Sequence, residues 1–308
     1  MTQIWRKHKE RSNPLALQAI RWIALNLGRR PARLILYPIS LYFLLFGSSQ
    51  RRGSLHYLER VLKKKPNWFH VAKHIHYFAS TILDRIFLLT GRFEGLDVTF
   101  PAENIPLSYS QKGQGCLLLG SHFGSFEVLR SYAVKKCPLP IKILMYEEHN
   151  PMIVNLFNSL NPDIGEMIIH MGKQDSMLQV KEYLEAGYVV GMLGDRYMAD
   201  EKTTPCTLLG GTVRLPTSPF ILAAALKVPV IAFFGIYKGG NRYEIQFEVF
   251  SEQIELNRSS RQQDLQKWTQ RYASLLEDKL RQEPYNWFNF YDYWGDEECE
   301  STNKASGN

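Results

Sequence analysis

His122 and Glu127 stand five positions apart in GSHFGSFE (residues 120–127), an imidazole and a carboxylate on either side of a glycine-bearing turn. A carboxylate on one ring nitrogen fixes the tautomer and leaves the other nitrogen to take a proton. Such a base deprotonates a hydroxyl as it attacks a carbonyl, an effect worth roughly 10²- to 10⁴-fold in rate. Amide groups at the start of a following helix can receive the negative charge that develops. Ser121 and Ser125 are possible nucleophiles, but neither sits in a GxSxG elbow, and no cysteine adjoins the histidine. The glycines match neither GxGxxG nor a P-loop. A six-residue pattern also arises by chance, so its weight depends on where it falls in the fold.

The elements around it give that place. CLLL (116–119), IKILMY (141–146), EMIIH (166–170), YVVGML (188–193) and VPVIAFF (228–234) read as buried strands. Phe126 to Lys136, Pro151 to Leu160, Ser176 to Ala186 and Thr217 to Lys227 read as helices between them. Near-continuous apolar strands alternating with helices imply an α/β fold, a mostly parallel sheet flanked by helices. Tyr243 to Phe250 alternates apolar and polar residues, as a late edge or antiparallel strand does. Ligands bind beyond the carboxyl ends of strands in such sheets. His122 follows CLLL, Glu147 and Glu148 follow IKILMY, Lys173 follows EMIIH, and Asp195 and Arg196 follow YVVGML, so polar groups collect at one sheet edge.

The amino-terminal quarter has a different character. Residues 1–75 hold 15 Lys/Arg against two acids, while the rest holds 22 against 28, so the net charge of +7 is local. Leu34 to Phe46, LILYPISLYFLLF, has only Ser40 as a polar residue, yet as a helix it reaches roughly 20 Å against a bilayer core of about 30 Å. Pro38 would bend or interrupt it. Arg29, Arg30 and Arg33 precede the run and Arg51 and Arg52 follow it, a pattern that suits lying in an anionic membrane interface better than spanning. Nucleic acid is disfavoured, since neither zinc-finger spacing nor an RNA-binding signature is present. Asn67 to Thr90 is a second amphipathic helix, with Phe69, Ala72, Ile75, Ala79, Ile82, Ile86 and Leu89 as its apolar face and His70, His74 and His76 as a solvated basic face. No HExxH spacing occurs there, and the four cysteines, at 116, 137, 206 and 299, make no CxxC pair.

HFGSFE after an apolar strand resembles the HxxxxD/E block of the lysophospholipid acyltransferase superfamily, in the form found in lipid A late acyltransferases. Further blocks follow in that family's order: Gly194-Asp195-Arg196, then Leu208 to Gly211 leading through Pro216 into an apolar helix, then Val228-Pro229-Val230. The ending PYNWFNFYDYW is similar to that of a bacterial subgroup of acyltransferases. The resemblance implies a glycerol-phosphate-acyltransferase-like fold and transfer of a fatty acyl chain from acyl-carrier protein or coenzyme A to a hydroxyl of a lipid or glycolipid, at the cytoplasmic face of the inner membrane. It implies His122 as general base assisted by Glu127, neither metal nor cofactor, and substrate-binding roles for Asp195 and Arg196. Where lipid A enzymes tend to carry a basic residue after the tyrosine of the third block, Tyr146 is followed by Glu147 and Glu148, an acidic pair that repels phosphate. An amino-acid-containing lipid or an aryl-polyene lipid then becomes an alternative acceptor.

Arg214 can bind a phosphopantetheine phosphate, and Thr212 to Ala225 either lines an acyl pocket or packs as plain core. Leu265, Trp268, Tyr272, Leu275 and Leu276 mark an amphipathic helix expected to pack on the sheet. Tyr285 to Trp294 holds seven aromatics in ten residues, which suits a membrane interface, a hydrophobic lid or a buried terminal cluster. The expected division is a basic, membrane-associating helical region over 1–92, an α/β acyltransferase domain over 93–294 and a disordered tail over 295–308. Two rival readings use the same features: a lipase- or thioesterase-like hydrolase, and a catalytically inert lipid-binding membrane protein.

Overall fold

The computed structural model describes residues 14–100, 105–129, 139–145, 163–172, 175–198 and 200–295. In chain order these form α1 (Pro14–Leu27), α2 (Arg29–Phe46), α3 (Ser48–Leu62), α4 (Trp68–Leu89), β1 (Asp97–Thr99), α5 (Ile105–Gln111), β2 (Cys116–Gly120), β3 (Ile141–Met145), α6 (Asp163–Met167), β4 (Ile168–His170), α7 (Ser176–Glu185), β5 (Val189–Leu193), β6 (Thr203–Leu208), β7 (Gly211–Pro216), α8 (Ser218–Leu226), β8 (Val230–Gly239), β9 (Arg242–Ser251) and α9 (Arg261–Gln282). The helix expected over 151–160 and most of the one after Phe126 lie outside the described residues, as do Lys173, Glu147, Glu148 and residues 296–308 of the tail. The elements group into two compact units, neither continuous in sequence. One takes the chain up to Leu83, Arg196–Thr217 and the residues from Gln262; the other takes Asp84–Asp195 and Ser218–Arg261. The limits read along the sequence, 1–92 and 93–294, follow charge and pattern and do not describe this grouping.

The second unit is built on a seven-stranded sheet in the order β1-β9-β8-β2-β5-β3-β4. Pairing is parallel throughout except between β8 and β9. The apolar runs dictate this: Cys116 to Leu119 are fully buried, as a strand must be when it lies mid-sheet with neighbours on both edges and cover on both faces. Helices α5 and α7 supply cover, α5 against β2 and β9 and α7 against β4 and β5. The alternating segment is β9, antiparallel to β8 as expected. It is not an edge strand, because the short β1, too brief to show a period in sequence, pairs along its outer side.

The first unit is helical with one hairpin. Pro38 lies inside α2 without ending it; both Pro38 and Leu34, whose carbonyl it leaves without a helical donor, are exposed residues. At Gly47 the chain bends by 90° into α3, and Arg51 closes the corner by donating to the carbonyls of Leu44 (2.8 Å) and Leu45 (3.1 Å). β6 and β7 pair through a two-residue turn, Leu209-Gly210, with both φ angles positive (50° and 76°), the geometry that matches hairpin twist. Helix α9 docks on this hairpin. Gln270 brackets Thr207, accepting from its N–H at 2.8 Å and donating to its carbonyl at 3.0 Å, and Glu277 accepts from the Leu209 N–H at 2.6 Å. Arg281 of the same helix donates to the Val61 carbonyl at 3.4 Å, and Tyr272, Ala273, Leu276 and Leu280 form its buried face.

The histidine face of α4 departs from expectation. Phe69 is 83% exposed, whereas His74 is fully buried. His74 Nε2–H donates to the Trp287 carbonyl and the Ser54 hydroxyl donates to Nδ1, both at 2.8 Å. With both ring nitrogens satisfied the imidazole is neutral, and burial holds its pKa down at about 4. The carboxyl-terminal aromatics form a buried cluster: Trp287 is fully buried, with Trp294 and Tyr57 each packed T-shaped against it.

Candidate active site

The site is built on the register between two neighbouring strands. β2 and β5 run parallel with Gly120 opposite Leu193, and the Gly194 N–H continues the ladder by donating to the Gly120 carbonyl at 3.0 Å. His122 lies two residues beyond the end of β2 and Asp195 two residues beyond the end of β5. Equal offsets from one register bring them face to face. His122 Nδ1–H donates to Asp195 Oδ1 at 2.9 Å, and the backbone N–H of His122 donates to Oδ2 at 3.0 Å. Both carboxylate oxygens thereby accept from His122. Asp195 is wholly buried while 31% of the His122 side chain is exposed. A carboxylate on Nδ1 places the lone pair on Nε2, which is the tautomer of a base.

The turn that carries His122 is clamped to β8. Gly124 makes a parallel bridge with Gly235, and the Ser125 N–H donates to the Gly235 carbonyl at 2.7 Å. Gly124 has φ of 66°, and a Cβ there would stand 1.8 Å from the Gly235 carbonyl oxygen, so only glycine admits this approach. Phe123 packs edge-on against Phe234, and Phe126 does the same against Phe233. The hydroxyls of Ser121 and Ser125, on either side of His122, are buried with no hydrogen-bond partner among the described residues.

Glu127 sits in the helical turn at 126–129, but its carboxylate meets a different partner from the one the motif suggests. Oε2 stands 3.1 Å from Arg85 Nε on α4, an ion pair rather than an aligned hydrogen bond. The acid on the imidazole is Asp195. The spacing misleads because it is local: a side chain on the first turn of the helix points where the helix directs it, whereas the neighbouring strand end faces the ring. Arg85 carried no signal in the sequence. Asp195 did, as the polar residue after a core strand, but its offset becomes telling only once β2 and β5 are known to be neighbours.

The remaining candidates are placed as follows. Arg196 Nε donates to Asn289 Oδ1 at 2.7 Å and Nη2 donates to the Phe288 carbonyl at 3.1 Å, so its guanidinium is bound to the chain's own carboxyl-terminal segment. Arg214 is an exposed residue of β7 whose Nε donates to Thr203 Oγ1 at 2.9 Å across the hairpin. Among the described residues, no three His, Cys, Asp or Glu side chains gather as metal ligands would.

Residues 19–295 match the family described as bacterial lipid A biosynthesis acyltransferase. The chain belongs to that family. This acyltransferase therefore acts generally as a lipid acyltransferase, with an acyl donor and a lipid acceptor. No curated protein matches the acyltransferase. Its family is typically membrane-associated, although among the described residues no single helix is long and apolar enough to cross a bilayer; α2 and α3 together pass that test only as a pair bent by 90°.

Proposed function

We propose that this acyltransferase moves a fatty acyl chain from an acyl-carrier-protein or coenzyme A thioester to a hydroxyl of a lipid or glycolipid, with His122 as general base. The observation that carries the reading is the His122–Asp195 pair, a partly exposed imidazole just past the end of a central strand backed by a buried carboxylate. In the forward step Nε2 takes the proton of the acceptor hydroxyl as its oxygen bonds to the thioester carbonyl carbon. The resulting oxyanion collapses, the C–S bond breaks, and the imidazolium returns the proton to the departing thiolate. An ester and a free thiol result, with neither net proton change nor a covalent acyl-enzyme. Asp195 holds the tautomer and stabilises the imidazolium. Glu127, which the motif offers as assistant to the base, is paired with Arg85 beside this turn. Arg214 is a proposed contact for the phosphopantetheine phosphate of the donor and Lys173 a proposed substrate-binding residue, and the Glu147–Glu148 pair favours an acceptor without a phosphate at that position.

The attachment proposed is an in-plane contact of α2 with the anionic cytoplasmic face of the inner membrane. Leu34, Tyr37, Leu41, Leu45 and Phe46 are each more than half exposed, while Ala32, Leu36 and Ser40 face inward. An apolar helix face left uncovered and bordered by arginines fits a lipid interface. The test of the chemistry is product analysis with an acyl thioester, with and without acceptor lipid. Transfer predicts an acylated lipid that requires the acceptor, and loss of at least about 100-fold in His122→Ala. Thiol release that is unchanged by omitting acceptor would make the protein a hydrolase. Turnover retained in His122→Ala would remove the base.

A further inference from the structure

Strands β2 and β8 part around His122 and then meet again. Their parallel register pairs Leu117 with Val230, Leu118 with Ile231 and Leu119 with Ala232, and resumes as the bridge between Gly124 and Gly235. One chain advances five residues, from 119 to 124, while the other advances three, from 232 to 235. The two surplus residues must leave the ladder, and bulges of this kind re-aim side chains beside active sites. His122 lies in that excursion. Its near end is pinned where the Gly194 N–H donates to the Gly120 carbonyl. Its far end is seated on three successive residues of β8. Phe234 packs against Phe123 and Phe233 against Phe126, and neighbours on a strand point to opposite faces, so the rings hold the turn from both sides of the sheet. The backbones touch at Gly235, whose carbonyl accepts from the Ser125 N–H at 2.7 Å. A Cβ on Gly235 would overlap the Ser125 carbonyl oxygen and stand 3.0 Å from its carbon, and a backbone obstacle cannot rotate out of the way.

We propose that Gly235 is a positioning residue for the base: having no side chain, it lets β8 seat the far end of the excursion that carries His122, and so holds the imidazole on Asp195. This rests on the reading of His122 as base. Every residue involved belongs to the unit built on the seven-stranded sheet. Asp195 accepts from the ring Nδ1–H at 2.9 Å and from the backbone N–H at 3.0 Å, both of His122. Two bonds to one residue from one buried carboxylate fix where that residue's backbone must run. The Gly194 ladder bond sets it from one end and Gly235 from the other. A methyl group on Gly235 pushes Ser125 away and draws the turn with it. A displacement of about 1 Å at such a site costs on the order of 10²-fold in rate. Gly235 carries no mark in the sequence, because the contact that demands a glycine comes from a turn more than a hundred positions earlier.

The experiment uses the full-length protein with an acyl thioester and acceptor lipid, and compares Gly235→Ala with Gly115→Ala. Gly115 precedes β2 at the end away from His122, and a Cβ there would overlap the Leu184 carbonyl oxygen and stand 2.6 Å from the Tyr188 carbonyl oxygen. It is therefore a backbone clash of similar severity in the same unit, and a matched control for lost stability. Gly235→Ala is expected to lower kcat per folded molecule by about 10²-fold, with both KM values within about twofold. The acid limb of its pH–rate profile moves to lower pH, because the ring loses the carboxylate that favours the imidazolium. Gly115→Ala lowers the melting temperature comparably but leaves kcat and the acid limb in place. Phe234→Leu loosens the turn from one face without a clash, and a smaller fall in kcat in the same direction keeps the result independent of whether Gly235→Ala folds. In an Asp195→Asn background Gly235→Ala costs little further, because both changes act on one interaction. The proposal is overturned by full kcat in whichever of Gly235→Ala and Phe234→Leu folds, or by losses that multiply fully with Asp195→Asn. Full turnover in His122→Ala overturns the reading beneath it, a result distinct from either of these.

Discussion

At the scale of residues, the chemistry turns on which acid steadies the imidazole. His122 was legible because a histidine in a glycine-bearing turn after a buried strand has few structural duties. Its partner was not, since HxxxxE offers a carboxylate close in sequence while the one in contact is 73 positions away. The two acids make separable predictions. Asp195→Asn removes the acceptor for Nδ1–H and lets the ring take the wrong tautomer, with an expected loss of about 10²- to 10⁴-fold in kcat. It also removes the negative charge that favours the imidazolium, so the acid limb of the rate profile moves to lower pH. Glu127→Gln breaks an ion pair with Arg85 and leaves the His122–Asp195 bonds in place, so its loss in kcat is smaller and the acid limb stays where it is. Steady-state rates from pH 5 to 9 on the two variants check this. Equal losses and equal displacements would show that Glu127 also acts on the ring.

At the scale of elements, period was readable and facing was not. The three- and four-residue spacing over 67–90 located α4 to within a residue at each end, but placed its histidines in solvent. Which polar side chain a helix buries depends on partners that find it, and those of His74 come from α3 and from Trp287, 213 positions away. The consequence is a pH-dependent stability with a definite sign. The folded pKa of about 4 lies below the ordinary 6.5, so between those values the unfolded chain binds the extra proton. This contribution is complete above about pH 6.5, falls as pH drops from there, and is fully lost below about pH 4, amounting to roughly 3 kcal/mol. Chemical denaturation between pH 4 and 7 on the protein and on His74→Gln checks it. The variant is less stable at pH 7, and its stability falls less steeply with acid. Parallel curves would place the acid sensitivity elsewhere. The hairpin β6–β7 shows the same limit from another side: Leu208 to Gly211 was visible as a motif, but a type I′ turn with leucine at a positive φ is not what its composition suggests.

At the scale of the whole molecule, the α/β sheet was legible because parallel strands buried on both faces must be apolar along their length. The discontinuous helical unit was not, because charge and period are local whereas the grouping of 1–83 with 196–217 and with the residues from 262 is made by distant contacts. What the charge did mark is the surface proposed to meet lipid. The exposed face of α2 and the exposed Trp68 (60%) and Phe69 (83%) of α4 belong to the same unit, and Arg51 connects them: it holds the last turn of α2 and stacks 5.4 Å from the Trp68 ring. Lys63, Lys64 and Lys65 lead into Trp68. Aromatic and aliphatic groups beside cations bind anionic bilayers by two terms with different salt dependence, since each Lys/Arg near the surface contributes about 1 kcal/mol that salt screens, while apolar burial is not screened. Flotation with phosphatidylglycerol-containing vesicles is therefore expected to show strong binding at low salt that weakens at 0.5 M salt without vanishing. Leu41→Glu with Phe46→Glu removes the residual, salt-resistant part, and leaves kcat on a detergent-dispersed acceptor within about twofold, because both side chains belong to the unit that does not carry the His122–Asp195 pair. Binding abolished by salt alone would reduce α2 to an electrostatic tether, and unaltered flotation of the double variant would move the lipid contact off this helix.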